Sequence, residues 1–79
     1  MKNMEKLLEI LKEMHPDVDF ENETGLIDNM ILDSFDIVTL ITEISDNYDV
    51  TISAEHIVPE NFNSVQALYA LIKKLESED

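Results

Sequence analysis

Apolar residues recur at helical spacing in three stretches of this chain. Met4, Leu7, Leu8, Leu11 and Met14 fall on one stripe, with Glu5 and Glu9 turned elsewhere, which predicts a first helix from about Asn3 to Met14. Asn3 is placed to cap it and Pro16, just past His15, to end it. Ile37, Leu40, Ile41, Ile44 and Tyr48 share a narrow arc and predict a second helix from Ser34 to about Tyr48. Val65, Leu68, Ile72 and Leu75, flanked by Tyr69 and Leu71, predict a last helix from about Ser64 to Leu75. Asn63 followed by Gln66 fits a capping box at its start. Lys73 and Lys74 suit the negative end of its dipole, and Glu76 to Asp79 are expected to fray.

The connections differ in character. Asp17 to Asp33 contains the lone glycine, Gly25, and reads as a long loop. Val18, Phe20, Leu26, Ile27, Met30, Ile31 and Leu32 are scattered through it, so it is expected to be ordered and to pack over the helices, with a short helical turn around Leu26 to Met30. Asp49 to Ile52 is a connector too short to make a sheet. Ser53 can cap a short helix through Ala54, Glu55, His56 and Ile57, and Pro59 either breaks it or starts another turn to Phe62. The expected fold class is all-α: a small bundle of three main helices plus one short helix, with a long ordered loop between the first two, forming one domain over residues 1–79.

Composition narrows the physics. A chain of 79 residues buries only about 60% of its unfolded surface. It has no cysteine, so neither a disulfide nor a thiolate metal site can staple it, and its 44% hydrophobic content must hold it together. The first residues lack the apolar core of a signal peptide, and no apolar run is long enough to span a membrane. A cytoplasmic monomer without membrane insertion is the expectation. Eighteen acids face five lysines and no arginine, and all five lysines (Lys2, Lys6, Lys12, Lys73, Lys74) lie near the ends. Such a surface repels nucleic acid and anionic lipid and attracts basic protein surfaces.

Candidate chemistry gathers where the long loop meets the second helix, at Leu32-Asp33-Ser34-Phe35-Asp36. Phe35 and Val38 fall outside the core arc, with Thr42 between them on the helical wheel, so the second helix has a small apolar patch beside Ser34. Two simpler readings exist: Phe35 folds back on the preceding loop, and Ser34 or Asp33 serves only as a helix cap. A functional serine needs an exposed hydroxyl, a helix N-terminus to favour phosphate, and partner-facing neighbours.

Asp33-Ser34-Phe35-Asp36 resembles the Asp-Ser-Leu attachment motif of acyl carrier proteins, with Phe35 in place of the usual Leu. Ile37-Val38-Thr39-Leu40-Ile41 resembles the start of that family's second helix. Tyr48-Asp49-Val50-Thr51-Ile52 resembles its exit into the next loop, and Phe62 to Leu68 the start of its fourth helix. The resemblance covers nearly the whole chain. It implies 4'-phosphopantetheine joined to Ser34, installed from coenzyme A by a phosphopantetheinyl transferase. It also implies acyl or aminoacyl thioesters loaded by an activating ligase and passed to a downstream acyltransferase or synthase. The chain would be a substrate and partner of enzymes, with no catalytic residue of its own. Asp33 and Asp36 would help the transferase position the helix tip. Phe35, Val38 and Thr42 would form the seam touched by partners, with Glu43 and Asp46 at its rim. Fatty-acid carriers often have Glu where this chain has Thr39. The run Gly25-Leu26-Ile27-Asp28 and Ile31-Leu32-Asp33-Ser34-Phe35 is similar to D-alanyl carriers, which serve cell-wall teichoic acid, and to stand-alone peptidyl-type carriers.

Rival chemistries are weaker. Asp17, Asp19, Glu21 and Glu23 alternate like a calcium loop, but Asn22 and Asp28 stand where an EF-hand needs Gly and the bidentate Glu, so no metal site is expected. His15 and His56 sit in no metal motif and read as surface or cap residues. Gly-x-Ser-x-Gly is absent, which argues against a serine hydrolase. Met4, Met14 and Met30 read as core filler. From another class, an unmodified acidic helical module that binds a basic partner fits the charge equally well.

Overall fold

The computed structural model describes residues 4–77. Four helices follow in order: α1 Met4–Met14, α2 Ser34–Tyr48, α3 Pro59–Phe62 and α4 Val65–Ser77, with a single 3-10 turn at Ala54–His56 ahead of α3. The described residues contain no strand. The three main helices and one short one match the reading of the pattern. The short α-helix is the turn at Pro59–Phe62, where proline at N1 is preorganised. The Ala54–His56 segment is the tighter 3-10 form, in which His56 Nδ1 lies 3.2 Å from the Ser53 N–H and 3.1 Å from Ser53 Oγ. The proposed cap at Asn3 lies outside the described residues, as do the last two residues of the expected frayed tail. Glu76 and Ser77 continue α4, with Glu76 3.7 Å from Lys73.

α1 packs on α2 and α4, and α3 packs on α4. Their apolar stripes meet in one core: Leu7, Leu11, Leu40, Ile44, Val65, Leu68 and Ile72 are all fully buried. Burying each such side chain contributes about 1.5–3 kcal/mol, which is how so small a chain holds together without a disulfide. Two of the predicted stripes differ at their edges. Ile10 and Leu71 are buried, whereas Leu8 and Leu75 lie partly buried at the edge of the core. Ile37 and Ile41 likewise flank the buried Leu40–Ile44–Tyr48 line. Partial loss of water pushes the Tyr48 phenol above its usual value, opposed by a hydrogen bond with the Leu7 backbone and reinforced by nearby Tyr69 and Glu76. α2 ends where Asp49 turns left-handed (φ 59°) and its N–H closes on the Ser45 carbonyl at 3.1 Å.

The long loop is part of the core rather than a cover for it. Phe20 and Leu26 are fully buried and Leu32 nearly so. The expected helical turn forms: Asn29 N–H donates to Gly25 O (2.7 Å), and the Ile31 and Leu32 N–H groups both donate to Leu26 O (3.0 Å each). Met30 corrects the sequence reading. It reverses the chain with φ 59°, and its side chain leaves the core, 85% exposed.

One residue clamps this loop to the far end of the bundle. Asn63 O accepts from Leu26 N–H (2.8 Å), and Asn63 Oδ1 accepts from the N–H groups of Ile27 and Asp28 (2.9 and 3.0 Å). Asn63 Nδ2 donates to Asp28 Oδ2 (3.2 Å). The capping box expected from Asn63 and Gln66 is therefore not formed. Ser64 Oγ caps α4 by accepting the Ala67 N–H (3.1 Å), and Gln66 Nε2 reaches Glu21 O (3.1 Å). The Asn63 side-chain oxygen is taken by two loop N–H groups, and the cap falls to Ser64.

Candidate functional site

α2 begins with a capping box made of two aspartates. Asp33, extended at the N-cap, accepts the Asp36 N–H on Oδ1 (2.8 Å), and Asp36 Oδ2 accepts the Asp33 N–H (3.2 Å). The box satisfies two groups that a helix end otherwise leaves open. It also decides what Ser34 does. Ser34 stands at the first helical position, between the two acids, and its exposed hydroxyl has no hydrogen bond within the described residues. The simpler reading of Ser34 as a cap thus fails, because Asp33 holds that position.

Asp36 is held a second time. His15 Nε2, just past α1, lies 2.8 Å from Asp36 Oδ2. A carboxylate only accepts, so Nε2 carries the proton. Partial burial by itself would raise the Asp36 pKa. The His15 hydrogen bond, the Asp33 backbone N–H and the charge of His15 outweigh it and hold the carboxyl below its ordinary value. The sequence alone reads His15 as a surface or cap residue. No local signal pairs it with Asp36, which lies 21 positions away.

The rest of the expected seam assembles on one face. Phe35 (75% exposed), Val38 (62% exposed), Thr42 and Asp46 are all exposed, spaced three or four residues apart along α2, with exposed Glu43 beside them. Phe35 does not fold back on the loop. Thr42 Oγ1 donates back to Val38 O (3.0 Å), so its hydroxyl is bonded within the helix. Met30, Ile57 and Val58 are further exposed apolar residues, and nothing in the sequence pattern singles them out as such.

The other candidates do not form a site. Asp17, Asp19 and Glu21 are exposed, and Glu23 Oε2 is occupied by the Gly25 N–H and the Asn29 amide (3.1 Å each). Among the described residues no group of His, Cys, Asp or Glu is arranged to hold a metal ion. His56 caps its own turn. No described helix is long and apolar enough to cross a membrane.

Comparison with known proteins identifies the family. The family model described as "Phosphopantetheine attachment site" matches residues 4–72. An "Acyl carrier protein" of Buchnera aphidicola subsp. Baizongia pistaciae (strain Bp) is 38% identical over 53 residues, covering 67% of this chain and 65% of the relative. The chain thus aligns to just under two thirds of that relative's length. Among solved structures, a chain from the "Crystal structure of FAD-dependent dehydrogenase" superposes with a TM-score of 0.66 at 36% identity, covering 85% of this chain and 92% of that one. This protein belongs to the acyl carrier protein family, whose prosthetic group is 4'-phosphopantetheine. Members of this family are carriers rather than catalysts. The α2 tip fits such a group: an exposed, unbonded hydroxyl at the start of a 15-residue helix, whose positive end favours a phosphodiester.

Proposed function

We propose that Ser34 is the attachment point and that the chain carries acyl or aminoacyl groups to partner enzymes. The observation that carries this reading is the division of labour at the α2 tip. Two aspartates do the capping, which leaves the serine hydroxyl exposed and without a partner among the described residues. Ser34 Oγ forms the new bond to phosphorus as the pyrophosphate P–O bond of coenzyme A breaks and adenosine 3',5'-bisphosphate leaves. Among the described residues no base is hydrogen-bonded to Ser34, so the transferase removes the proton. Once attached, the arm supplies a terminal thiol that holds cargo as a thioester, which a chain without cysteine otherwise lacks.

The chain's own residues then do the recognition. Asp33 and Asp36 each keep one carboxylate oxygen outside the capping box, facing cationic groups of the transferase. Phe35, Val38 and Thr42 give partners an apolar strip, and Glu43 and Asp46 supply charge at its rim. Partners are the transferase, an acyl- or aminoacyl-activating ligase, and a downstream acyltransferase or synthase. The sequence run from Gly25 to Phe35 favours D-alanyl or other aminoacyl cargo within this reading. The similar solved chain comes from a structure of a FAD-dependent dehydrogenase. A flavin enzyme that oxidises a carrier-bound thioester is accordingly one downstream class to screen.

The test is an intact mass after incubation with coenzyme A and a broad-specificity phosphopantetheinyl transferase. Wild type gains one phosphopantetheinyl group and Ser34→Ala gains none. If neither changes while both are folded and a known carrier is modified in parallel, the chain is an unmodified acidic binding module.

A further inference from the structure

The pairing of His15 with Asp36 joins the end of α1 to the first turn of α2 across the whole loop, whereas Lys6–Glu9 and Lys73–Glu76 lie within single helices. It is also short, at 2.8 Å, and both side chains are largely shielded, at 33% and 18% exposure. His15 is itself fixed: its N–H donates to Leu11 O (3.0 Å), and its carbonyl accepts the Val18 N–H (3.2 Å). The imidazole is thus a post set on a fixed stretch of backbone. It holds one oxygen of the acid two residues after Ser34, and the same oxygen takes the N–H of the residue before Ser34.

We propose that His15 is a positioning residue for modification of Ser34, acting through Asp36 on the enzyme that installs the arm. This rests on Ser34 being the attachment point. With Oδ2 held by His15 and the cap, the Asp36 carboxylate is restrained at two points, two residues after the serine. A cationic group of the transferase then meets a carboxylate whose rotamer is already chosen, so docking does not have to order it. Without His15, Asp36 keeps only its 3.2 Å bond to the Asp33 N–H, and its carboxylate can swing. Both protonation states of His15 can supply the Nε2 proton, so the post does not depend on the charge of the ring.

The experiment is steady-state modification of the full chain by one phosphopantetheinyl transferase, with coenzyme A saturating and the carrier varied. His15→Ala is expected to raise KM for the carrier roughly three- to ten-fold, with kcat changed by less than about two-fold, as loss of a docking interaction requires. His15→Gln, whose amide N–H can reach the same oxygen, restores KM to near wild type. In an Asp36→Ala background, His15→Ala adds no further rise, because the two residues act as one unit. Circular dichroism checks folding. Should His15→Ala unfold, His15→Leu keeps bulk without a donor and takes its place. An unchanged KM in the folded variant overturns the proposal, as does an equal rise with and without Asp36. If wild type gains no group at Ser34, the attachment reading falls and takes this proposal with it. Modification at Ser34 with an indifferent His15 sinks only the latter.

Discussion

At the scale of single residues, the site is an exercise in who caps whom. A serine beside an aspartate at a helix start is normally the capping side chain. Here Asp33 does that work, and Asp36 completes the box. The sequence made Ser34 visible through its neighbours and the helix after it. It could not show that Asp36 is already bound by His15, because that contact depends on how α1 meets the loop. The bond has a pH signature. The Asp36 carboxyl is held below the ordinary carboxylate value of 3.8. A depressed folded pKa stabilises the fold above the unfolded value, and that contribution disappears as pH falls through the folded value. Wild type is therefore expected to be more stable than Asp36→Asn at neutral pH, with the gap closing as pH drops below about 4. Thermal melts of both proteins from pH 7 to pH 2 measure this; a gap that widens on acidification contradicts it.

At the scale of elements, helical periodicity located α1, α2 and α4 because each buries one stripe against the others. The loop before Ser34 was legible only in part. Its apolar content showed that it must pack, and Phe20, Leu26 and Leu32 do. Met30 has the same apolar character but sits where the chain turns left-handed, and pattern cannot see a dihedral angle. Asn63 was misread for a related reason: a local capping box and a distant clamp present the same letter, and only the tertiary structure chooses. Asn63→Ala strips the side-chain acceptor from the Ile27 and Asp28 N–H groups. A loss of about 1–3 kcal/mol is expected from urea unfolding, with faster amide exchange at both residues. Unfolding midpoints equal to wild type would show that solvent replaces the clamp without cost.

At the scale of the whole molecule, the net charge of −13 is the dominant fact. Four described lysines lie on α1 and α4, and the last turn of α2 has no basic residue. The field is therefore strongly negative along α2 and interrupted by cations on the other two helices. Encounter with a basic partner is accelerated by such a field and slowed by screening. Raising salt from about 20 mM to 0.5 M shortens the Debye length from roughly 20 Å to about 4 Å. The apparent KM of the transferase for this carrier is expected to rise several-fold over that range, with kcat little altered. A salt-independent KM would assign recognition to the Phe35–Val38 strip alone.

The Asn63 clamp bears on how the protein is born. Three backbone donors just ahead of Ser34 find their acceptors on a residue translated some 35 positions later. A nascent chain still short of Asn63 can wind α2, yet the Leu26, Ile27 and Asp28 N–H groups then lack their acceptors. The tip acquires that support only after Asn63 has emerged from the ribosome. A partner that recognises that tip therefore meets it in native form only in chains translated past Asn63.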